Sequence, residues 1–206
     1  MSRKLGHMKH TPAPPPKPED TDASVRVATE ASGVAMQLLK EGARGAVLLG
    51  AARLDFALER MLKTVMHSHP GGEDNLFDTD RPLGTFSAKI ALAYRLGLLD
   101  KASEHALQMI RRIRNDFAHS FGDTSLADQS QRNRLLKPLA EVRKSILWDL
   151  LHDLLLKQPS LADELRDYIL LVVCLVANIE RAIDLLSPAN HSVAISLSQG
   201  MIGGHA

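Results

Sequence analysis

The sequence predicts an all-α protein, a helical bundle of about six helices behind a disordered N-terminal tail, and three observations carry that prediction. Leucine and alanine dominate a composition in which aromatic residues make up only 4%, a mix that favours helices over strands. Apolar residues recur at spacings of three and four along most of the chain, the period of a helix with one buried face. No stretch keeps the alternation of a half-buried strand. The 206 residues, 45% of them hydrophobic and 24% charged, give room for one domain and enough apolar content for its core. The expected organisation is a disordered Pro-rich tail over 1–23, a single helical domain over 24–187 and a loosely ordered tail over 188–206.

Each element has its own signal. Pro12, Pro14, Pro15, Pro16 and Pro18 disfavour a helix and favour extended polyproline conformation, in which a PxxP-type docking motif could sit. From Ser24, residues Val27, Ala31, Val34, Ala35, Leu38 and Leu39 form one apolar stripe. Gly42 and Gly45 interrupt it, and a second helix follows from Ala46 to about Met66, with Leu48, Leu49, Ala52, Phe56, Leu58, Leu62 and Val65 as its expected core. His67-Ser-His-Pro-Gly-Gly ends that helix, and a long loop reaches Gly84. A third helix is expected from Thr85 to Leu98, with Leu83, Phe86, Ile90 and Tyr94 on one side and Gly97 as punctuation. A fourth runs from Lys101 to about Phe121, a fifth from Leu139 to Leu156, and a sixth from Ser160 to about Leu186.

Charge is uneven along the chain although the net value is only +1. From Arg111 to Lys144 eight basic residues stand against four acids, and from Asp149 to Asp184 seven acids stand against three bases. A basic face for phosphate or nucleic acid is one reading; oppositely charged faces, solvated or meeting in an oligomer, are the other. The single Cys174 excludes a disulfide framework and a cysteine metal site. Its apolar surroundings span about 12 residues, too few to cross a bilayer. With no apolar signal segment at the start, a cytoplasmic protein without membrane attachment is expected. Low aromatic content and long Leu and Val faces, above all 165–179, point to a homodimer, since exposed apolar surface of that size marks an interface.

The sharpest constellation is Arg111-Arg-Ile-Arg-Asn-Asp-Phe-Ala-His-Ser120. Arg111, Asn115 and His119 lie at steps of four, one ridge of a helix, with Arg114 one position off it. Together with Arg112 these are the candidate binding residues: guanidinium groups, an amide and an imidazole near a helix C-terminus could hold a phosphate and move a proton. The same residues could instead cap the helix end. Other chemistries find little support. Ala93-Tyr-Arg-Leu-Gly97 before Lys101–Arg112 is superficially similar to a helix-turn-helix, with Gln108, Arg111 and Arg112 outward, but its second helix is too apolar to be free. His67 and His69 with Glu73 and Asp74 lack the spacing of a metal site, and no phosphate loop or nucleophile elbow is present. No metal or cofactor is expected.

Two separated segments carry a resemblance. Asp80-Arg-Pro-Leu-Gly-Thr-Phe-Ser-Ala-Lys-Ile-Ala-Leu-Ala-Tyr-Arg-Leu-Gly-Leu98 and Ile113-Arg-Asn-Asp-Phe-Ala-His119, with Gly50-Ala-Ala-Arg-Leu-Asp-Phe-Ala-Leu-Glu59 and Leu76-Phe-Asp78 upstream, look like the signature of the mannitol operon repressor family over about residues 30–185. That resemblance implies an all-helical, bacterial, cytoplasmic transcriptional regulator without a recognised DNA-binding motif, acting on a protein partner or on nucleic acid. Arg114-Asn-Asp-Phe-Ala-His119 is also similar to the Arg-x4–6-His motif of HEPN domains. This second likeness implies, as the alternative, a metal-independent and toxin-like ribonuclease in which Arg114 and His119 act as a pair across a dimer, with Asn115 after the arginine.

Overall fold

A proline opens the first helix. The computed structural model describes residues 18–69, 71, 75–120, 122, 124–156, 161–189, 193–194 and 203–204, and within it α1 spans Pro18–Leu39. At the first helical position a proline loses no hydrogen bond and its fixed φ already suits the helix. The helix therefore reaches six residues into the segment expected to be tail. The docking motif considered for the prolines upstream of residue 18 lies outside the described residues.

Six further helices follow: α2 (Ala43–Val65), α3 (Phe86–Arg95), α4 (Lys101–His119), α5 (Gln129–Val142), α6 (Ile146–Leu156) and α7 (Asp163–Leu185). A single 3-10 turn, Asn75–Phe77, sits in the loop between α2 and α3. The all-α expectation holds, with seven α-helices among the described residues where six were expected. The difference is the stretch expected as one helix from Leu139 to Leu156. Here α5 begins at Gln129, carries Pro138 in its interior and stops at Val142, and a turn over Arg143, Lys144 and Ser145 precedes α6. Ser145 restarts the chain: Leu147 N–H donates to its hydroxyl at 3.3 Å and Trp148 N–H to its carbonyl at 3.0 Å. Downstream of α7, Val193–Ala194 and Gly203–Gly204 form one short antiparallel pairing.

Local chemistry fixes the ends that matter for the site. Thr85 caps α3, its hydroxyl accepting from Ala88 N–H at 3.2 Å, and Asp100 caps α4, accepting from Ser103 N–H at 2.7 Å. Between them Gly97 adopts φ +73°. Its N–H donates to Tyr94 O and Leu98 N–H to Ala93 O, both at 3.0 Å, the paired bonds of a Schellman motif in which glycine carries the left-handed turn. That turn sets α4 back against α3.

Helix α7 is the centre of the bundle. It packs on α1 and α2 on one side and on α5 and α6 on the other, while α4 bridges α2 and α5. Every residue from Tyr168 to Ala177 is buried. The Leu and Val run expected to mark a homodimer interface is thus enclosed by the chain's own helices, and its exposure cannot be the reason for a dimer. Gly50 lets α2 approach α7 closely: a Cβ there would stand 3.2 Å from Val172 and 3.3 Å from Tyr168. The Tyr168 hydroxyl donates to Val47 O at 3.1 Å inside this contact. Three residues expected in the core of α2 and α3 face outward instead, Ala52, Phe56 at 56% exposure and Tyr94 at 45%; the α2 core is built from Ala46, Val47, Ala51, Leu54, Leu58 and Met61. Among the described residues, no helix is long and apolar enough to cross a membrane.

Candidate functional site

Half of the basic run from Arg111 to Lys144 is neutralised within the chain. Arg132 pairs with Glu164 at 3.0 Å, Arg143 with Asp167 at 3.4 Å, Lys144 with Glu141 at 2.7 Å, and Arg134 with Asp116. Two of these partners belong to the acidic stretch on α7, so the oppositely charged segments meet inside one chain. Asp116 also accepts from the amide of Gln131, which is 2% exposed, at 2.9 Å. These hydrogen bonds hold the Asp116 carboxyl below its ordinary range, and they fasten α5 to α4.

Arg111 and Arg114 are different. Arg111 Nε donates to Gln108 Oε1 at 3.0 Å and Arg114 Nη1 to Asn115 Oδ1 at 3.1 Å. Both acceptors are neutral amides, so each guanidinium is oriented but keeps its charge, and neither makes a salt bridge among the described residues. Both arginines and Asn115 line a cleft of about 360 Å³ bounded by Leu48, Ala51, Ala52 and Asp55 of α2 and by Gly84, Thr85, Phe86 and Ser87 at the start of α3.

The α3 end of this cleft is tightly built. Leu83 N–H donates to Leu76 O and Gly84 N–H to Arg81 O, which closes the loop against the buried Phe77. A Cβ on Gly84 would lie 2.1 Å from Asp78 O, so only glycine fits there. Thr85 Oγ1 and Ser87 Oγ stand 3.2 Å apart. The amides of Phe86 and Ser87, at the positive end of the helix dipole, have no acceptor among the described residues. The one acid in the lining, Asp55, lies 2.9 Å from the Lys89 ammonium.

Of the five residues expected at the site, the structure therefore brings Arg111, Arg114 and Asn115 together. Arg112 is exposed and does not line the cleft; His119, the last residue of α4, is exposed and lies outside it as well. The contributions of α2 and of Gly84–Ser87 were not named from the sequence as site residues, although a Gly-Thr pair before an apolar helical run is a helix-start signal. Helix α4 buries Leu107, Ile110, Ile113 and Phe117 in the core, and of Gln108, Arg111 and Arg112, the residues expected to face a groove, Arg111 lines the cleft. In the loop after α2, His67 and His69 are exposed, and His69 Nδ1 accepts from Gly71 N–H at 3.1 Å. Glu73 and Asp74 lie outside the described residues, among which no group of three metal-ligating side chains assembles.

Comparisons of the chain with protein-family models, with curated proteins and with solved structures return no match.

Proposed function

We propose that the chain is a bacterial, cytoplasmic transcriptional regulator of the mannitol operon repressor type, acting through a partner held at the cleft between α2, α3 and α4. One observation carries this reading. Three of the four segments that carry the resemblance, 50–59, 80–98 and 113–119, are distant in sequence, yet each supplies part of one cleft: Ala51, Ala52 and Asp55, then Gly84 to Ser87, then Arg114 and Asn115; the fourth, Leu76-Phe-Asp78, does not line it. Arg111, one of the residues a groove-reading α4 would present, lines the cleft instead, which supports regulation by binding there.

The test is a reporter of the operon adjoining the gene, in a deletion strain complemented with variants. Wild type and Lys137→Glu, an exposed change on α5, should restore repression, whereas the Arg111→Glu/Arg114→Glu double variant should not, at equal protein level and equal helicity. Full repression by the double variant would overturn the reading. A homodimer, also part of the expectation, would have to use exposed side chains such as Phe56, Leu136 or Leu185; light scattering on the purified protein reads it directly.

A further inference from the structure

We propose that the cleft is a phosphate site, taking the phosphoryl group of a small phosphorylated effector. This rests on the reading of the cleft as the regulatory site and adds the chemistry of its ligand.

Charge selects an anion. Of the eight basic residues between Arg111 and Lys144, four are paired with carboxylates, while the two that line the cleft bond only to amide oxygens. Gln108 takes the Nε of Arg111 and leaves both terminal nitrogens; Asn115 takes one terminal nitrogen of Arg114 and leaves the other. Two pre-oriented guanidinium groups with spare donors suit an oxyanion with several acceptor oxygens.

The opposite wall supplies neutral donors. The amides of Phe86 and Ser87 stand at the N-terminus of a ten-residue helix, where the dipole favours negative charge, and of the mutually bonded Thr85 and Ser87 hydroxyls one proton is left to donate. Asp55 would oppose an anion, but the Lys89 ammonium at 2.9 Å offsets it. A phosphoryl group can use donors from both walls at once, which a singly charged planar carboxylate does less completely.

Size and lining select a small ligand. A cleft of about 360 Å³ stands at the lower end of the range for small-molecule sites. Leu48, Ala51, Ala52 and Phe86 offer apolar contact to a short carbon body beside the phosphate. A nucleic-acid strand needs a row of phosphate contacts along a surface, and pairing removes half of the basic run from that role.

The experiment is an amide-resolved NMR titration with calorimetry at constant ionic strength, using inorganic phosphate, glycerol 3-phosphate and glycerol as probes. Both phosphates should give saturable shifts at Phe86 and Ser87, with glycerol silent. Arg111→Ala or Arg114→Ala should each weaken binding about tenfold or more, the loss of a charge-assisted bond, and Lys137→Ala should leave it unchanged. Absence of saturation, equal weakening by Lys137→Ala, or the same shifts with glycerol would overturn the proposal. Tighter binding of a 5′-phosphorylated oligonucleotide than of glycerol 3-phosphate would overturn the small effector. Phosphate binding with intact repression in the Arg111→Glu/Arg114→Glu variant would leave the phosphate site standing and remove the regulator. Loss of repression without phosphate binding would do the reverse.

Discussion

Lys89 and Asp55 join α3 to α2 beside the cleft. The ammonium lies 2.9 Å from the Asp55 carboxylate and 2.9 Å from that of Glu59, one turn further along α2, while Lys89 itself is only 4% exposed. Burial opposes its charge, yet hydrogen bonds to the two carboxylates outweigh that and raise the ammonium above the ordinary lysine range. The pair thus fixes where α3 begins, and with it the Thr85–Ser87 wall.

Replacing Lys89 with methionine should keep the buried stem but strand Asp55, while Glu59 keeps Lys63 at 2.7 Å. Breaking a fully buried pair costs about 3–5 kcal/mol; because Asp55 and Glu59 are partly solvated, a loss of about 2 kcal/mol is expected here. Urea unfolding monitored by helicity measures it. A change within about 0.5 kcal/mol, the usual range for a surface substitution, would show that the ammonium contributes nothing to the α2–α3 junction.

Gly84 and Gly33 should respond oppositely to alanine. At Gly84 the new methyl would collide with the Asp78 and Thr79 carbonyls, at 2.1 and 2.7 Å, so the loop must open and stability should fall by about 1–3 kcal/mol. At Gly33, inside α1, nothing lies within 4 Å. Alanine there should add about 0.5–1 kcal/mol through its better helix propensity. Thermal melts of the two variants check both signs, and a neutral Gly84→Ala would mean that the loop is not closed against Asp78.

These responses show which parts of the molecule were legible in the sequence. Spacing, caps and the Gly97 turn are local, so α2, α3, α4 and α7 could be drawn within a few residues. The turn at Arg143–Ser145 carries neither glycine nor proline, and the proline nearby, Pro138, sits inside α5; the α5–α6 break was therefore invisible. The α7 run was recognisable as apolar, but only the fold reveals that α1, α2, α5 and α6 cover it. Pairings such as Arg132 with Glu164 and Arg143 with Asp167 span more than twenty residues, so sequence could not separate the neutralised arginines from Arg111 and Arg114. Eight of the eleven lining residues come from α2 and the start of α3, and they are too ordinary to announce themselves.

Glu180 should tilt the pH profile of stability. Its carboxylate is 2.7 Å from Arg60 but only 5% exposed. Burial outweighs the arginine and raises its carboxyl above the ordinary value of 4.5. The folded state then holds this proton more tightly than the unfolded chain does. Its contribution is full below about pH 4.5 and is lost as pH rises through the folded value. Glu59 is lowered, as burial is outweighed by Lys63 and Lys89, and Asp116 is lowered by Gln131 and Arg134. Stabilisation from those two is present above their ordinary values and lost as pH falls through the folded ones. Glu180→Gln should therefore flatten the decline above about pH 5 and leave the acid limb in place. Urea midpoints across the range read both limbs, and an unchanged decline in the variant would assign it to another group.

Arg114 and His119 provide the last separation. Five residues apart on α4, they point about 140° from one another around the helix axis; Arg114 lines the cleft and His119 does not. Within one chain they do not face one phosphate, and a ribonuclease would have to join them across a dimer. A phosphate-binding regulator needs Arg114 of these two, not His119. Arg114→Ala should weaken binding of glycerol 3-phosphate about tenfold or more while His119→Ala preserves it, and labelled RNA should stay intact in EDTA with wild type and both variants. Cleavage by wild type that both variants lose would replace the regulator with a metal-independent nuclease, since no cleft built from a single chain needs the imidazole. Both side chains are exposed, so the two substitutions leave the core untouched and the comparison measures function rather than folding.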